Sequence, residues 1–473
     1  MVTVDGPSGR FRGVDVGDDV LRFLGIQYAT AQRFREPQDI TGYPTEVQAV
    51  EFGAQSPQVP GFMEEILNTR NIPADEQCLY LNIWAPKSPK NLLPVLFWIH
   101  GGAFTNGTAA TSWYDGKNLV SLGDVVLVSI NYRLGPFGFI GSRSFGLLDQ
   151  LSALRWVNRN ISAFGGDPEN VTAFGESAGG SSVVALTASP NVHGLIRQGW
   201  AMSPSLLQLR SVREAEIANQ QFLTAAKCAT IEELEKLPSR DIVDASGKIL
   251  AEVENYVSTF TPTCGGDDLP EDVYVASANS GIPLVIGTNR DENRLWIALN
   301  PQTSQLSTDA GKNIFQKTFG DRAEEAWRTY SRLRPNHSPA QLVAAMQTDQ
   351  NFRFPAWRLA ERRNQSSGKT WMYWFTWPTP AFDGALGCCH ALDLPFIFDN
   401  LAAPSVELFI GSGPGREEIS RIFTGELLEF ARSGRVSWQE FDPERRETLQ
   451  ISTEKIIVRD PEPELRRLWA STL

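Results

Sequence analysis

The residues best suited to chemistry form the pentapeptide Gly175-Glu176-Ser177-Ala178-Gly179, which has the spacing G-x-S-x-G. In this pattern a serine nucleophile occupies a sharp turn between a strand and a helix, and the flanking glycines avoid a steric clash. The helix that follows presents free backbone N–H groups to an anion. The pattern predicts Ser177 as a nucleophile, with a glycine-serine turn without chemistry as the alternative.

A second element is the stretch His100-Gly101-Gly102-Ala103-Phe104, which follows an apolar run. Acyl transfer develops negative charge on a carbonyl oxygen, and preorganised backbone donors stabilise that charge. Glycines let the main chain approach a substrate closely. We therefore expect the N–H groups of Gly102, Ala103 and Ala178 to form an oxyanion hole.

A serine hydroxyl needs a general base, and the chain has only four histidines. His100 lies within the glycine loop, which it is expected to support. His193 and His337 lie in loops by composition. His390 comes late in the chain, and the order serine, acid, histidine selects it as the base.

The acid that orients the imidazole is expected between the serine and the histidine, directly after a strand. The apolar run Pro283–Gly287 has the composition of that strand. Asp291 and Glu292 follow it, and both fit the role. Spacing alone does not choose between them.

The elements that must position these residues alternate along the chain. Apolar, β-branched or aromatic runs predict strands at 94–100, 124–131, 170–174, 199–203, 283–287 and 371–377. Residues 147–164 have helical apolar spacing and end at the stop signal Gly165-Gly166-Asp167-Pro168, and another helix is expected from Ala178 to about Ala188. Strands separated by helices predict an α/β fold, with a mostly parallel sheet flanked by helices.

No linker divides the chain, so residues 1–473 are expected to form one domain. The segments at roughly 205–275 and 300–365 are helical and charged. We expect both to leave the sheet and to form a cap over the site.

Composition argues against several classes of function. The net charge is −12 and no cluster of Lys and Arg is present, so nucleic acid is not expected as a partner. The longest apolar stretches are strand-sized, which argues against a membrane span. Met1–Gly13 lacks the features of a signal peptide, which favours the cytoplasm; a secreted protein whose signal had been removed is the alternative.

The five cysteines are too few and too scattered for a disulfide framework. The adjacent pair Cys388-Cys389 is a poor metal motif, and we expect the cysteines to be buried as small apolar side chains.

Longer motifs run nearly from end to end. They are FLGIQYA at 23–29, EQCLYLNIW at 76–84, HGGAF at 100–104, NYRLGPFGF at 131–139, GLLDQ at 146–150, FGGDPENVTAFGESAGG at 164–180, GTNRDE at 287–292, and the single residues His390 and Trp438. Together they resemble the type-B carboxylesterase/lipase family, which includes cholinesterases and bacterial para-nitrobenzyl esterases. HGGAF followed by Tyr114-Asp115-Gly116 is nearest to the para-nitrobenzyl-esterase branch.

The resemblance implies an α/β-hydrolase fold and a Ser-His-Glu triad. It selects Glu292, because the family's carboxylate is the second of an Asp-Glu pair. It also implies that Ser203 belongs to a buried hydrogen-bond network behind the triad, with Glu176 nearby. The family usually has glycine after the acid, where this chain has Asn293, a residue that tolerates left-handed backbone.

The resemblance also bears on the cysteines. The family's usual partner for Cys78 is missing, and Ser56 stands about where it should be. That disulfide is therefore expected to be absent.

The activity implied is hydrolysis of mid-sized, fairly apolar carboxylic esters through an acyl-enzyme, without a cofactor or a metal. A biosynthetic acyltransferase or lactone-forming enzyme on the same triad is one alternative, since the acyl group can pass to an alcohol instead of water. A non-catalytic binding protein on this fold is another, and the intact Ser, Glu and His argue against it. The expected partner is a small-molecule ester, and no sequence feature indicates an oligomeric state.

Overall fold

The computed structural model describes residues 1–61, 71–252 and 259–470, and within them a 13-stranded sheet forms the centre of the molecule. The strands, numbered in chain order, are β1 (Val2–Gly6), β2 (Gly9–Asp15), β3 (Val20–Gln27), β4 (Ala29–Thr30), β5 (Gln38–Asp39), β6 (Val47–Gln48), β7 (Tyr80–Pro86), β8 (Leu93–Ile99), β9 (Val126–Ile130), β10 (Gly166–Glu176), β11 (Gln198–Met202), β12 (Arg210–Ser211), β13 (Thr263–Cys264), β14 (Leu284–Asn289), β15 (Thr370–Phe375), β16 (Glu447–Ile451) and β17 (Lys455–Arg459).

The sheet has the strand order β1-β2-β3-β7-β9-β8-β10-β11-β14-β15-β16-β17, and β6 pairs with β2. Every pair from β9 to β16 is parallel. The pairs among β1, β2, β3, β7 and β9, and the pair β16–β17, are antiparallel. The mostly parallel sheet predicted from the sequence is therefore present.

Helices follow most of the central strands. They are α1 (Lys117–Gly123), α2 (Gly135–Gly138), α3 (Phe145–Asn160), α4 (Ala178–Ala188), α5 (Val212–Ala225), α6 (Ile231–Leu234), α7 (Ser239–Glu252), α8 (Val273–Asn279), α9 (Arg294–Ala298), α10 (Thr308–Phe319), α11 (Ala323–Leu333), α12 (Pro339–Thr348), α13 (Phe354–Asn364), α14 (Leu394–Ile397), α15 (Val406–Ile410), α16 (Arg416–Ser433) and α17 (Pro463–Ala470).

The central strands are buried because helices cover both faces of the sheet. In β9, Val126, Val128 and Ile130 pack on one face and Leu127 packs on the other, as the alternation of strand side chains requires. Helices α3 and α4 cover the first face, and α16 covers the second. A third apolar cluster joins α10, α11 and α12 to the C-terminal helix α17.

The predicted strands correspond to β8, β9, β10, β11, β14 and β15. The largest difference concerns β10, which begins at Gly166 rather than at Asn170. The chain makes a 3-10 turn at Ile161–Phe164 and then enters the strand directly, with a register shift between Gly166 and Val171. Pro168 lies within this irregular stretch, where the missing N–H is tolerated.

The two segments expected to form a cap are largely helical. Segment 205–275 contains α5, α6 and α7, together with the short parallel pair β12–β13; its residues 253–258 lie outside the described residues. Segment 300–365 contains α10 to α13, and a π-helical turn at Asp349–Arg353 joins α12 to α13.

Three of the cysteines, Cys78, Cys388 and Cys389, are buried as expected, whereas Cys228 and Cys264 are partly exposed. No helix among residues 1–61, 71–252 and 259–470 is long and apolar enough to cross a membrane.

Candidate active site

Four loops meet at the carboxyl edge of the parallel sheet. Strand β8 leads into the glycine loop, β10 into Ser177, β14 into Arg290–Asn293, and β15 into the segment that reaches His390. Because these strands are parallel within one sheet, their carboxyl ends open on the same side. The topology therefore brings the predicted nucleophile, oxyanion donors, acid and base to one edge.

Ser177 occupies a strained turn between β10 and α4. Its backbone has φ 59° and ψ −119°, a conformation that residues other than glycine rarely adopt. Its N–H donates to the carbonyl of Met202 at 2.9 Å. A Cβ on Gly179 would lie 2.0 Å from the carbonyl oxygen of Ile99, and one on Gly175 would lie 2.6 Å from Gly179. Only glycine therefore fits at either flanking position.

The glycine loop is also in the left-handed region, with φ 106° at Gly102 and φ 52° at Ala103. A Cβ on Gly102 would lie 2.0 Å from the carbonyl oxygen of Asn106, so the loop requires glycine there. Within the described part of the chain, the N–H groups of Gly102, Ala103 and Ala178 have no hydrogen-bond acceptor. They remain available for a ligand oxygen.

His100 supports this loop. Its Nδ1 lies 2.8 Å from the carbonyl oxygen of Gly101, and its own carbonyl accepts from the Tyr132 hydroxyl at 2.9 Å. The two rings stack with centroids 4.6 Å apart. Burial lowers the pKa of His100 to about 4, so the ring is neutral near pH 7.

The acid and the histidine that the sequence proposed are in contact. Glu292 Oε2 lies 2.7 Å from His390 Nδ1. The other carboxylate oxygen of Glu292 accepts from the Ser203 hydroxyl at 2.6 Å and from the Asn289 N–H at 2.7 Å. Glu292 is fully buried, and these donors hold its carboxylate in one orientation.

Asp291 has different partners. Its carboxylate accepts from Arg290 and from the N–H of Cys388, both at 2.9 Å. The Asp291 N–H donates to the carbonyl of Cys388 at 2.9 Å. Asp291 therefore ties the acid loop to the backbone just before His390, and it does not contact the imidazole.

The second ring nitrogen of His390 faces Glu176. Nε2 lies 3.0 Å from Glu176 Oε1, although the two groups are poorly aligned for a hydrogen bond. Among the described residues, no hydrogen bond joins the Ser177 hydroxyl to His390. Because Glu176 precedes Ser177 in the chain, the imidazole is nevertheless beside the nucleophile turn. The resemblance places Glu176 near the network behind the triad, but in the structure it lies against the nitrogen that a serine would use.

Burial and charge shift the pKa values of both groups. Burial raises the pKa of Glu176 to about 8. Burial also disfavours the His390 cation, but the carboxylates of Glu176 and Glu292 outweigh it and raise the pKa of His390 to about 9.

A buried aspartate extends the carboxylate network beyond the predicted residues. The Asn289 amide donates to the carbonyl of Cys389 at 2.8 Å and to Asp393 Oδ1 at 3.3 Å. Burial raises the pKa of Asp393 to about 7. Sequence reasoning missed Asp393, although a lone carboxylate within the apolar run Leu392–Phe398 was a usable signal.

Two aromatic rings cover the imidazole. The centroids of Trp296 and Phe352 lie 5.0 Å and 4.9 Å from that of His390. The two aromatic rings are parallel to within 5°. Trp296 remains 42% exposed, whereas Trp113 and Trp371 belong to the core. Trp296 therefore borders both His390 and the solvent.

The remaining histidines lie elsewhere. His193 is exposed, and His337 Nε2 lies 2.7 Å from the Arg294 guanidinium. Over the described ranges, no group of three or more His, Cys, Asp or Glu side chains is arranged to hold a metal ion.

Asn293 does not need the left-handed backbone anticipated for it, since its φ and ψ are −72° and −5°. Its N–H donates to the Thr348 hydroxyl at 3.0 Å, and its amide donates to Gln347 at 3.2 Å. The residue after the acid thus connects the acid loop to α12.

Comparison with known proteins shows similarity to carboxylesterases. The carboxylesterase family model matches residues 1–468. The para-nitrobenzyl esterase of Bacillus subtilis (strain 168) is 34% identical, over 97% of this chain and 96% of that protein. The phenmedipham hydrolase of Pseudarthrobacter oxydans is 32% identical, over 81% of this chain and 80% of that protein.

Solved structures of esterases also superpose on nearly the whole chain. A para-nitrobenzyl esterase structure superposes with a TM-score of 0.86 at 33% identity, covering 98% of this chain and 99% of that one. A carboxylesterase of Geobacillus stearothermophilus superposes with a TM-score of 0.87 at 32% identity, covering 99% and 100% of the two chains. The α/β-hydrolase fold predicted from the sequence is confirmed.

Proposed function

This chain belongs to the carboxylesterase family, and from that premise we propose that Ser177, His390 and Glu292 form its catalytic triad. The observation that carries the proposal is the 2.7 Å contact between Glu292 and His390, at the sheet edge where Ser177 occupies its strained turn. Glu292 orients the imidazole and stabilises its cation, without taking the proton itself.

Ser177 attacks the ester carbonyl while His390 takes its proton. The N–H groups of Gly102, Ala103 and Ala178 stabilise the oxyanion of the tetrahedral intermediate. The alcohol then leaves with a proton from His390, and an acyl-enzyme remains. Water, activated by His390, attacks the acyl-enzyme and releases the acid.

In this cycle Nε2 of His390 serves Ser177, so the imidazole must move from Glu176 toward the serine hydroxyl. Glu176 therefore competes with Ser177 for the same ring nitrogen. Since a protonated imidazole cannot accept the serine proton, the protein is expected to be most active at pH values where His390 is neutral.

We propose mid-sized, fairly apolar esters as substrates. The surface next to His390 supports this proposal. Trp296 and Phe352 provide an aromatic surface there, and a large part of Trp296 is exposed. Apolar surface of this kind favours apolar acyl or alcohol groups over charged ones.

The chain is proposed to work as one domain, with segments 205–275 and 300–365 as a cap. The sheet draws its strands from β1 near one end of the chain to β17 near the other, which supports a single unit. Phe352 belongs to the second segment and contacts His390, which supports its place over the site.

A burst assay tests the catalytic proposal. With para-nitrophenyl butyrate, the protein should release one equivalent of nitrophenol rapidly and then turn over more slowly. Ser177→Ala should abolish both phases, whereas Ser182→Ala should keep them. Ser182 is a matched control because it is a buried serine of α4 that accepts from the Gln150 amide at 3.0 Å.

An unchanged burst in Ser177→Ala would overturn the proposed nucleophile. The same assay with added alcohols shows whether water or an alcohol takes the acyl group from the acyl-enzyme. If alkyl esters accumulate in place of the free acid, acyl transfer replaces hydrolysis as the proposed function.

A further inference from the structure

A largely buried group of charged and hydrogen-bonding side chains surrounds the π-helical turn next to the site. We call it the Arg353 clamp, and its members are Tyr330, Arg334, Asp349, Arg353 and Glu462. Asp349 and Arg353 begin and end the π-helical turn, and their side chains are almost completely buried. π-helical turns inside α-helices are rare, and they occur frequently at functional sites.

Arg353 uses its guanidinium to join three parts of the chain. Nη1 donates to Asp349 Oδ1 at 2.7 Å and to Glu462 Oε2 at 2.6 Å. Nη2 donates to the carbonyl of Arg290 at 2.8 Å. The planar group also lies over the Trp374 ring, 4.9 Å from its centroid. A lysine cannot reproduce this set of directed contacts.

The C-terminal part of the chain contributes Glu462 and Trp469 to the contacts of the Arg353 clamp. Glu462 precedes α17 and has φ 58°, a left-handed conformation that is unfavourable for glutamate. Its carboxylate accepts from Arg334 at 2.6 Å as well as from Arg353. The Trp469 indole donates to the Tyr330 hydroxyl at 2.8 Å, and that hydroxyl in turn hydrogen-bonds to Asp349.

Two sets of contacts connect the Arg353 clamp to the proposed triad. Phe352 immediately precedes Arg353, and its ring packs against that of His390. The Arg290 carbonyl that Arg353 holds lies two residues before Glu292 in the chain. Movement of Arg353 would therefore disturb both partners of the Glu292–His390 hydrogen bond.

We propose that Arg353 is a positioning residue for the Glu292–His390 pair, and that Glu462 at the start of the C-terminal helix holds Arg353 in place. The inference rests on the proposed function. It adds that the C-terminal helix contributes to catalysis through the clamp, although none of its residues contacts the imidazole in the described structure.

The test compares Arg353→Lys with Arg363→Lys. Arg363 is a matched control because it is a fully buried arginine of α13 whose guanidinium binds Ser277, Ile282 and Thr370 at the opposite edge of the sheet. For Arg353→Lys, kcat should fall about tenfold while KM changes little, because the geometry of the pair is loosened. Arg363→Lys should lower the unfolding temperature comparably and leave kcat unchanged.

A second readout separates positioning from stability. On heating, Arg353→Lys should lose activity below the temperature at which it unfolds, whereas in Arg363→Lys the two transitions should coincide. A folded Arg353→Lys protein with the wild-type kcat would overturn the proposal, and so would an equal loss of kcat in Arg363→Lys.

If Arg353→Lys does not fold, the comparison of Glu462→Gln with Glu464→Gln replaces it. Glu464 lies two residues further along and pairs with the exposed Arg332. Glu462→Gln should reduce kcat severalfold and Glu464→Gln should not; equal activities would overturn the clamp. Absence of a burst in the wild-type protein would overturn the proposed function itself, which distinguishes the two failures.

Discussion

Glu176 Oε1 lies 3.0 Å from Nε2 of His390, while Glu292 lies 2.7 Å from Nδ1 of the same ring. The imidazole is therefore held between two buried carboxylates, and Asp393 adds a third acidic group nearby. This arrangement favours the imidazolium cation, which is the form that cannot act as a base. Glu176, which directly precedes Ser177, therefore lowers the fraction of neutral His390 that can activate the serine.

Replacing Glu176 should extend activity to lower pH. In Glu176→Gln the carboxylate facing Nε2 is lost, so the pKa of His390 should fall from about 9 by roughly one unit or more. Protonation of His390 then begins at a lower pH, and the acidic limb of kcat/KM should move in that direction. The pH profile of kcat/KM measures the shift.

Glu169→Gln is the control, because Glu169 lies on the same strand with an exposed side chain. Its profile should match the wild type. A Glu176→Gln profile that stays in place, or that moves to higher pH, would show that Glu176 does not set the titration of His390.

The local sequence was sufficient to predict the turn at Gly175–Gly179 between β10 and α4. Ser177, Gly175 and Gly179 could be predicted because their conformation and their close contacts admit few residue types. The central strands were found for a similar reason, since β8, β9 and β14 are continuous apolar runs. The start of β10 was missed because Gly166 and Pro168 read as a stop, while pairing with β8 extends the strand through them.

The parts that could not be predicted depend on contacts between distant segments. Phe352 and Trp296 meet His390 only after two separate helical segments fold over the sheet edge. The position of Glu176 against Nε2 depends on how the loop after β15 returns to the nucleophile turn. Spacing alone does not choose between the adjacent acids Asp291 and Glu292. The family resemblance selects Glu292, and it is Glu292 that contacts His390.

The two neighbouring acids should therefore differ in function. Glu292→Gln keeps the shape of the side chain but cannot stabilise the imidazolium, so kcat should fall by about 10³-fold or more. Asp291→Asn should mainly lower the unfolding temperature, because Asp291 holds Arg290 and the backbone of Cys388. Steady-state kinetics and thermal unfolding of both variants make the comparison; a larger loss of kcat in Asp291→Asn would reverse the assignment of the acid.

Trp296 should influence the choice of substrate. In Trp296→Ala, kcat/KM for phenyl and para-nitrobenzyl esters should fall about tenfold, because the exposed indole beside His390 is lost. Ethyl acetate should be affected much less. Phe52→Ala, which removes another exposed aromatic side chain, serves as the control. A wild-type protein that prefers short, charged acyl groups would contradict the proposed substrate class.

The glycine loop allows a test of the oxyanion hole that compares Gly102 with Gly141. Gly102 and Gly141 both have positive φ, so alanine is unfavourable at either position. At Gly102 the new methyl group would also meet the carbonyl oxygen of Asn106 at 2.0 Å, whereas at Gly141 nothing lies within 4 Å. Gly102→Ala must therefore displace the loop, and kcat should fall about a hundredfold as the donors move away from the oxyanion. Gly141→Ala should lose some stability and keep its kcat, so equal activity in the two variants would remove Gly102 from the oxyanion hole.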